Sequence, residues 1–255
     1  YDDNGIASER LTEDELGIRH QDFERREFQR KCREVCATYE EQFTENIQGL
    51  GVSVDWNHTY QTIEPRTQRI SQLSFIDLYD QGREYREKAP AIWCPECETA
   101  ISQVETEDDE QDSHFHDIAF GVAGSEEEFT ISTTRPELLP ACVAVFVHPD
   151  DDGNQDLVGE SAEIPLFGHE VPILADESVD METGSGIVMC CTFGDQNDIE
   201  WYQIHDLDLR VAIDESGHMT EVAEGYEGLH SGEAREAIVE DLDDAGALLD
   251  RRAIT

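Results

Sequence analysis

"EFTISTTRPELLPACVAVFVHP", Glu128 to Pro149, holds two short segments of strand composition, EFTISTT and CVAVFVHP. Between them a hydroxyl-rich strand end (Ser132, Thr133, Thr134) runs directly into Arg135, Pro136 and Glu137. β-Branched and aromatic residues fit a pleated, half-buried surface, and proline closes the first segment. The same texture recurs on both sides: DIAFGVAG (117–124), EVPILAD (170–176) and GIVMCCTF (186–193) are apolar runs bounded by Gly, Pro and Asp clusters. HPDDDGNQD supplies turn chemistry between two of them. Many short strands at close spacing predict a β-barrel-rich domain. A helix is expected to follow, from Ser231 as N-cap to Gly246 as C-cap.

Before residue 114 the pattern is helical. In EFQRKCREVCATYEEQFTENIQGLG the apolar positions Phe28, Cys32, Val35, Cys36, Tyr39, Phe43 and Ile47 recur every three or four residues. A second helix is predicted from Thr67 to Gly82, with Ile70, Leu73, Ile76 and Tyr79 on one face. LGVSVDWNHTYQT reads as a strand or extended link. The fold class is therefore mixed α+β, a helical part followed by a β-rich part.

The chain carries 60 acidic and 17 basic residues, two of them lysine, for a formal net charge of -43. The carboxylates are interleaved with 38% hydrophobic residues, so the chain folds rather than forming an acidic tail. Self-repulsion of this size is tolerable where the Debye length is short, roughly 3 Å at 1 M salt, which points to a halophilic cytoplasm. Residues 1–105 hold 12 basic and 22 acidic residues, and residues 106–255 hold 5 and 38. That shift predicts a boundary at the run ETEDDEQD, Glu105 to Asp112. No segment is apolar and long enough to span a membrane, and no signal-like segment opens the chain, so a cytoplasmic location is expected.

Cys94 and Cys97 in WCPECETA supply two corners of a tetrahedral zinc site. A redox pair is the competing reading, but the strand and long helix of a thioredoxin-like βαβ unit are missing around it. Cys190 and Cys191 are adjacent in a strand pattern, so they point to opposite faces and do not chelate together. His114 and His116 alternate onto one face. In GSGIVMCCTFGDQND a glycine-bounded strand delivers Asp195 and Asp198 just past its end, where two carboxylates can bind an ammonium, a hydroxyl or a metal.

Taken in order, DDNG, LGIRHQDFERREFQRKC, LGVSVDWNHTYQTI, the WCPECETA region, ISTTRPELLPACVAVFVHP, LFGHEVPILAD and GSGIVMCCTFGDQNDIEW resemble the valyl-tRNA synthetases of archaeal type. The Arg-Pro-Glu continuation separates them from isoleucyl and leucyl relatives, whose editing domains are the nearest alternative. The resemblance implies a fragment. Residues 1–113 would be part of a Rossmann-type class I catalytic domain with half a zinc knuckle, 114–250 an inserted editing domain, and 251–255 the return. It implies that the second cysteine pair lies beyond Thr255, and that ATP and Mg2+ serve only the full-length enzyme, which joins valine to tRNA(Val).

The fragment itself would hydrolyse mischarged threonyl-tRNA(Val). Valine and threonine are nearly isosteric, and an apolar pocket rejects the added hydroxyl by only about 100-fold, a value established for this enzyme family. The resemblance assigns Asp198 to the α-ammonium and Asp195 to the threonine hydroxyl, or the same two roles exchanged, and Thr133 and Thr134 to the ester carbonyl or attacking water. Arg135 and Glu137 would hold the pocket and the terminal adenosine, and Asp2 the ammonium of cognate valine. Met189 and Cys191 stand where relatives often have Lys and Thr. Partners are the tRNA acceptor end and the two amino acids, with no membrane and no DNA.

Overall fold

The structure is a computed structural model that describes residues 1–86, 90–106 and 112–254, and it forms two compact units, Tyr1–Ala89 and Pro90–Thr255. Most of the run Glu105–Asp112 expected as a boundary loop lies outside the described residues.

The first unit is helical. α1 (Ile6–Leu16) ends at Gly17, whose left-handed backbone (φ 61°) closes the helix at no steric cost. α2 (Arg25–Gly49) buries Phe28 and Cys36, two of the positions that the periodicity singled out. Glu13, buried at the end of α1, accepts from the His20 backbone N–H at 2.7 Å and sits 3.0 Å from His20 Nδ1. Burial pushes that carboxyl up, yet the two His20 contacts and the neighbouring Arg19 charge leave it below its ordinary value.

α3 (Pro65–Asp80) starts on a proline, whose missing N–H costs nothing in a first turn. Its apolar face, Ile70, Leu73, Ile76 and Tyr79, is exposed. The stretch LGVSVDWNHTYQT forms no strand. Asp55 instead accepts from Asn57 N at 3.0 Å and winds Trp56–His58 into a single 3-10 turn. No helix among the described residues is long and apolar enough to cross a membrane.

The second unit opens on a hairpin of β1 (Trp93–Cys94) and β2 (Thr99–Ala100). A seven-stranded sheet follows, made of β3 (Ser113–Val122), β4 (Glu128–Thr133), β5 (Ala144–Val147), β6 (Ser161–Glu163), β7 (Glu170–Ala175), β8 (Ile187–Cys190) and β9 (Leu248–Ile254). Its path runs β4-β3-β6-β7-β5-β8, and β9 pairs antiparallel with β3. The sheet curls nearly closed. Gly184, just before β8 with φ 63°, lies so near β4 that a Cβ there would stand 2.8 Å from Ser132 Cβ.

Alternation fixes the interior. On β3 Ile118, Phe120 and Val122 point inward, and on β4 Phe129 and Ile131 do the same. β5 is buried along its whole length, as a strand covered on both faces should be. One side packs into the main core with Ile173, Leu139 and Ile238. The other packs with Val179, Cys190 and Trp201, where Phe146 stacks on the Trp201 ring at 4.4 Å between centroids. Such a pair adds about 1 kcal/mol beyond its buried area. Cys190 and Cys191 fall into these two separate clusters, in keeping with their opposite directions in the strand.

α4 (Gln196–His205) and α5 (Ser231–Asp244) complete the unit. Ser231 is the first residue of α5, and His230, one residue earlier, is its cap. The helix stops before Gly246, which has φ 73°.

Candidate functional site

β4 ends at Thr133, and the chain turns at once into a short 3-10 helix, Pro136–Ala141. Thr133 is buried and its Oγ1 accepts from the Arg135 backbone N–H at 3.0 Å, an arrangement that leaves the hydroxyl proton available to another acceptor. Thr134 is half-buried and lines a cavity on the His116 side.

Arg135 reaches across the unit. Its Nη1 donates to the Gly194 carbonyl oxygen at 3.1 Å, and its Nε donates to Glu137 Oε1 at 3.2 Å. Glu137 is 1% exposed and is also held by Arg235, through Nε to Oε2 at 2.8 Å and Nη2 to Oε1 at 2.7 Å. The buried carboxylate raises the Arg235 guanidinium further above its ordinary value. Two arginines therefore share the Glu137 charge, and the strand end, α5 and the Gly194 loop are tied together through it.

Past β8, Asp195 and Asp198 start α4. The sequence suggested a loop with two free carboxylates. The observed arrangement is a reciprocal capping box: Asp195 Oδ1 accepts from Asn197 N (2.8 Å) and Asp198 N (3.0 Å), while Asp198 Oδ2 accepts from Asp195 N (3.1 Å). Their surroundings differ. Asp195 is exposed, and among the described residues its Oδ2 has no hydrogen-bond partner.

Asp198 is 5% exposed, beside Cys190 and under Gly194. A Cβ at Gly194 would stand 2.5 Å from Asp198 Oδ2, so any larger residue there requires the carboxylate to shift. Desolvation, with the Asp195 charge second, pushes the Asp198 carboxyl up to about 6, against hydrogen bonds from the Cys190 thiol and the Asp195 and Cys191 backbone. Thus the Thr133–Arg135 segment and the Gly194–Asp198 segment meet through Arg135. The cavity that takes in Thr134 is lined by other residues than the two aspartates.

Met189 and Cys191 are buried on the strand that leads to Asp195. In the first unit, Asp2 is exposed, with Oδ1 accepting from Thr62 Oγ1 at 3.2 Å and Asn4 Nδ2 at 3.3 Å, beside a cavity of about 420 Å3 that also includes Tyr39 and Glu40.

Cys94 and Cys97 sit on the β1–β2 hairpin, and the Cys97 backbone N–H donates to Cys94 Sγ at 3.4 Å. That hydrogen bond leads the effects that hold the Cys94 thiol below its usual range. A knuckle of this form suits a thiolate pair for zinc. Among the described residues no group of three or more His, Cys, Asp or Glu is arranged to hold a metal.

Sequence reasoning missed Arg235 and His116. The first sits in a plain helical pattern with nothing to announce its buried partner. The second was noted only as one of an alternating pair.

The family described as "tRNA synthetases class I (I, L, M and V)" matches residues 1–226. Valine–tRNA ligase of Haloarcula marismortui is 69% identical over 259 aligned residues, covering 99% of this chain and 29% of that protein. The valine–tRNA ligase of Methanothermobacter thermautotrophicus is 44% identical, and that of Rickettsia rickettsii also 44%, each across the whole of this chain. The chain spans about 30% of the length of these relatives. With one family covering both units and every cited relative bearing the same activity in its name, the chain belongs to the class I tRNA synthetases.

Proposed function

We propose that residues 114–250 are the editing region of a valine–tRNA ligase and hydrolyse the ester of threonyl-tRNA(Val). Residues 1–113, in this reading, belong to a Rossmann-type catalytic domain that joins valine to tRNA(Val) with ATP and Mg2+. The observation that carries the reading is the Arg135–Gly194 hydrogen bond, because it gathers hydroxyls, a guanidinium and two carboxylates of unlike environment into one neighbourhood.

Asp198 ionises at about 6, so near pH 7.5 it is mostly charged and poorly solvated, which makes it a strong partner for an α-ammonium. Asp195 keeps one oxygen open for the threonine hydroxyl, the group that separates the wrong amino acid from valine. The Thr133 proton, left free by the contact with Arg135 N, suits the ester carbonyl oxygen, and Thr134 suits the attacking water. Arg135 and Glu137 brace the pocket and the terminal adenosine. An aminoacyl ester needs little activation, and positioned water suffices without a covalent intermediate.

Cys94 and Cys97 would hold zinc together with ligands from outside the described residues, and the metal would serve as a structural cross-link. The net charge of -43 supports a salt-rich cytoplasm as the working environment. The test is deacylation of threonyl-tRNA(Val) and valyl-tRNA(Val) by this chain and by Asp198→Ala. Selective hydrolysis of the threonyl ester, reduced at least 100-fold in the variant, is expected. Equal rates for the two esters, or for the two proteins, would discard the reading.

A further inference from the structure

A cavity of about 690 Å3 opens between the start of β3, the end of β4, β9 and the first turns of α5. Its size suits a small ligand. Strand register builds one wall: His116 stands opposite Thr133 on β4 and opposite Arg251 on β9, so the three side chains share a face, joined by His114 two residues away.

The donors and acceptors on that wall are set by their neighbours. His116 is 3% exposed, and its Nδ1 lies 3.3 Å from the Thr133 carbonyl oxygen. A carbonyl only accepts, so the ring proton is on Nδ1. Burial keeps the ring neutral, which leaves the Nε2 lone pair as an acceptor. Arg251 Nη2 lies 3.4 Å from His114 Nδ1, so that nitrogen accepts and the His114 Nε2–H remains a donor. Thr134 adds a hydroxyl, Arg235 a second guanidinium, and Asp112, Glu233 and Glu236 add carboxylates.

Arg251 stands apart from the other arginines that follow residue 105. Arg135 and Arg235 are held by Glu137, Arg210 by the Pro140 carbonyl, and Arg252 by Asp117. Among the described residues Arg251 makes no ion pair, in a chain with 60 carboxylate side chains. Its charge is therefore available to a ligand.

We propose that this cavity is a nucleotide subsite: Arg251 and His114 hold a phosphate, and His116 Nε2 accepts a ribose hydroxyl, of the RNA strand whose ester lies at Thr133 and Thr134. The assignment rests on the function proposed above and adds a specific RNA contact to it. It also answers a physical difficulty. The field of the whole chain repels phosphate, so RNA must be held by contacts at hydrogen-bond range, and those survive screening by salt.

The experiment measures binding of a 5′-labelled single-stranded RNA hexamer by fluorescence anisotropy in 1 M KCl, with adenosine monophosphate, adenosine and inorganic phosphate as competitors. Threonyl-tRNA deacylation is followed in parallel. Arg251→Gln and His114→Gln should each weaken RNA binding about tenfold, the loss of one charge-assisted contact, and Arg251→Lys should recover part of it. Arg252→Gln removes the same charge outside the cavity and should bind as the parent does.

Unchanged affinity in Arg251→Gln, or an equal loss in Arg252→Gln, overturns the subsite. Tighter binding of the mononucleotide than of RNA overturns it too, in favour of a free-nucleotide site. Deacylation that persists while Arg251→Gln binds RNA normally sinks the subsite and spares the hydrolase. RNA binding that depends on Arg251 in a protein without deacylase activity does the reverse.

Discussion

Arg135 Nη1 donates to the carbonyl oxygen of Gly194, 59 residues further along the chain and 3.1 Å away. The guanidinium is planar, so the same group faces Glu137 with one edge and Gly194 with another. Arg135→Lys keeps the charge and loses that fork. We expect threonyl-tRNA deacylation to fall about tenfold or more in kcat/KM with little change in Tm. A wild-type rate in the lysine variant would separate this contact from the chemistry.

Glu137 is the buried member of an ion-pair cluster whose arginines are each about 40% exposed. Glu137→Gln removes the charge and keeps the volume. Breaking one partner of a buried pair costs about 3 kcal/mol, somewhat less here because both arginines can turn to water. Denaturant titration reads this as a lower midpoint at unchanged m-value. A midpoint shift below about 0.5 kcal/mol would show that the cluster is not a stability element.

The Asp198 carboxyl, pushed up to about 6 in the fold, favours its protonated form relative to the unfolded chain. Its contribution to stability is thus fully present below about pH 4 and lost as the pH rises through about 6. Asp198→Asn removes this titration. The stability of the parent relative to the variant should fall by about 2 to 3 kcal/mol between pH 4 and pH 7. Parallel stability curves for the two proteins across that range would refute the shift.

Cys94 is held below the usual thiol range and Cys190 is raised far above it, by burial first and then by the Asp198 charge. Iodoacetamide at pH 7.5, read by mass spectrometry, should label Cys94 long before Cys190 or Cys191. Added Zn2+ should slow labelling at Cys94. Labelling of all three at one rate would contradict the knuckle geometry.

Charge density makes salt a folding variable. Thermal unfolding followed from 0.1 M to 2 M KCl should show Tm rising steeply and then levelling as screening saturates. A flat profile would mean that self-repulsion is compensated locally by the ion pairs described.

The strand composition of DIAFGVAG and EFTISTT was enough to mark β3 and β4, while the inward set Ile118, Phe120 and Ile131 became visible only in the folded sheet, because an apolar run does not by itself say which face is buried. β6 escaped because Ser161–Glu163 is too short to carry a pattern. β9 escaped because LLDRRAI is mostly exposed and takes its conformation from pairing with β3. In the first unit periodicity found α3 without revealing what its apolar face would meet.

At the site, Asp195 and Asp198 were visible as residues. Their reciprocal capping was hidden, since an Asp three residues before another reads equally as a turn or a helix start. Arg235 and Glu137 lie 98 residues apart, and nothing local encodes their contact.

Pairing of Ser113 with Ile254 sets the first and last residues of the sheet side by side on neighbouring strands. Adjacent antiparallel strands lie only about 5 Å apart. A polypeptide that enters at Ser113 and leaves at Ile254 therefore starts and finishes its circuit of the sheet one strand spacing apart, the geometry that splicing such a sheet into a host scaffold would require.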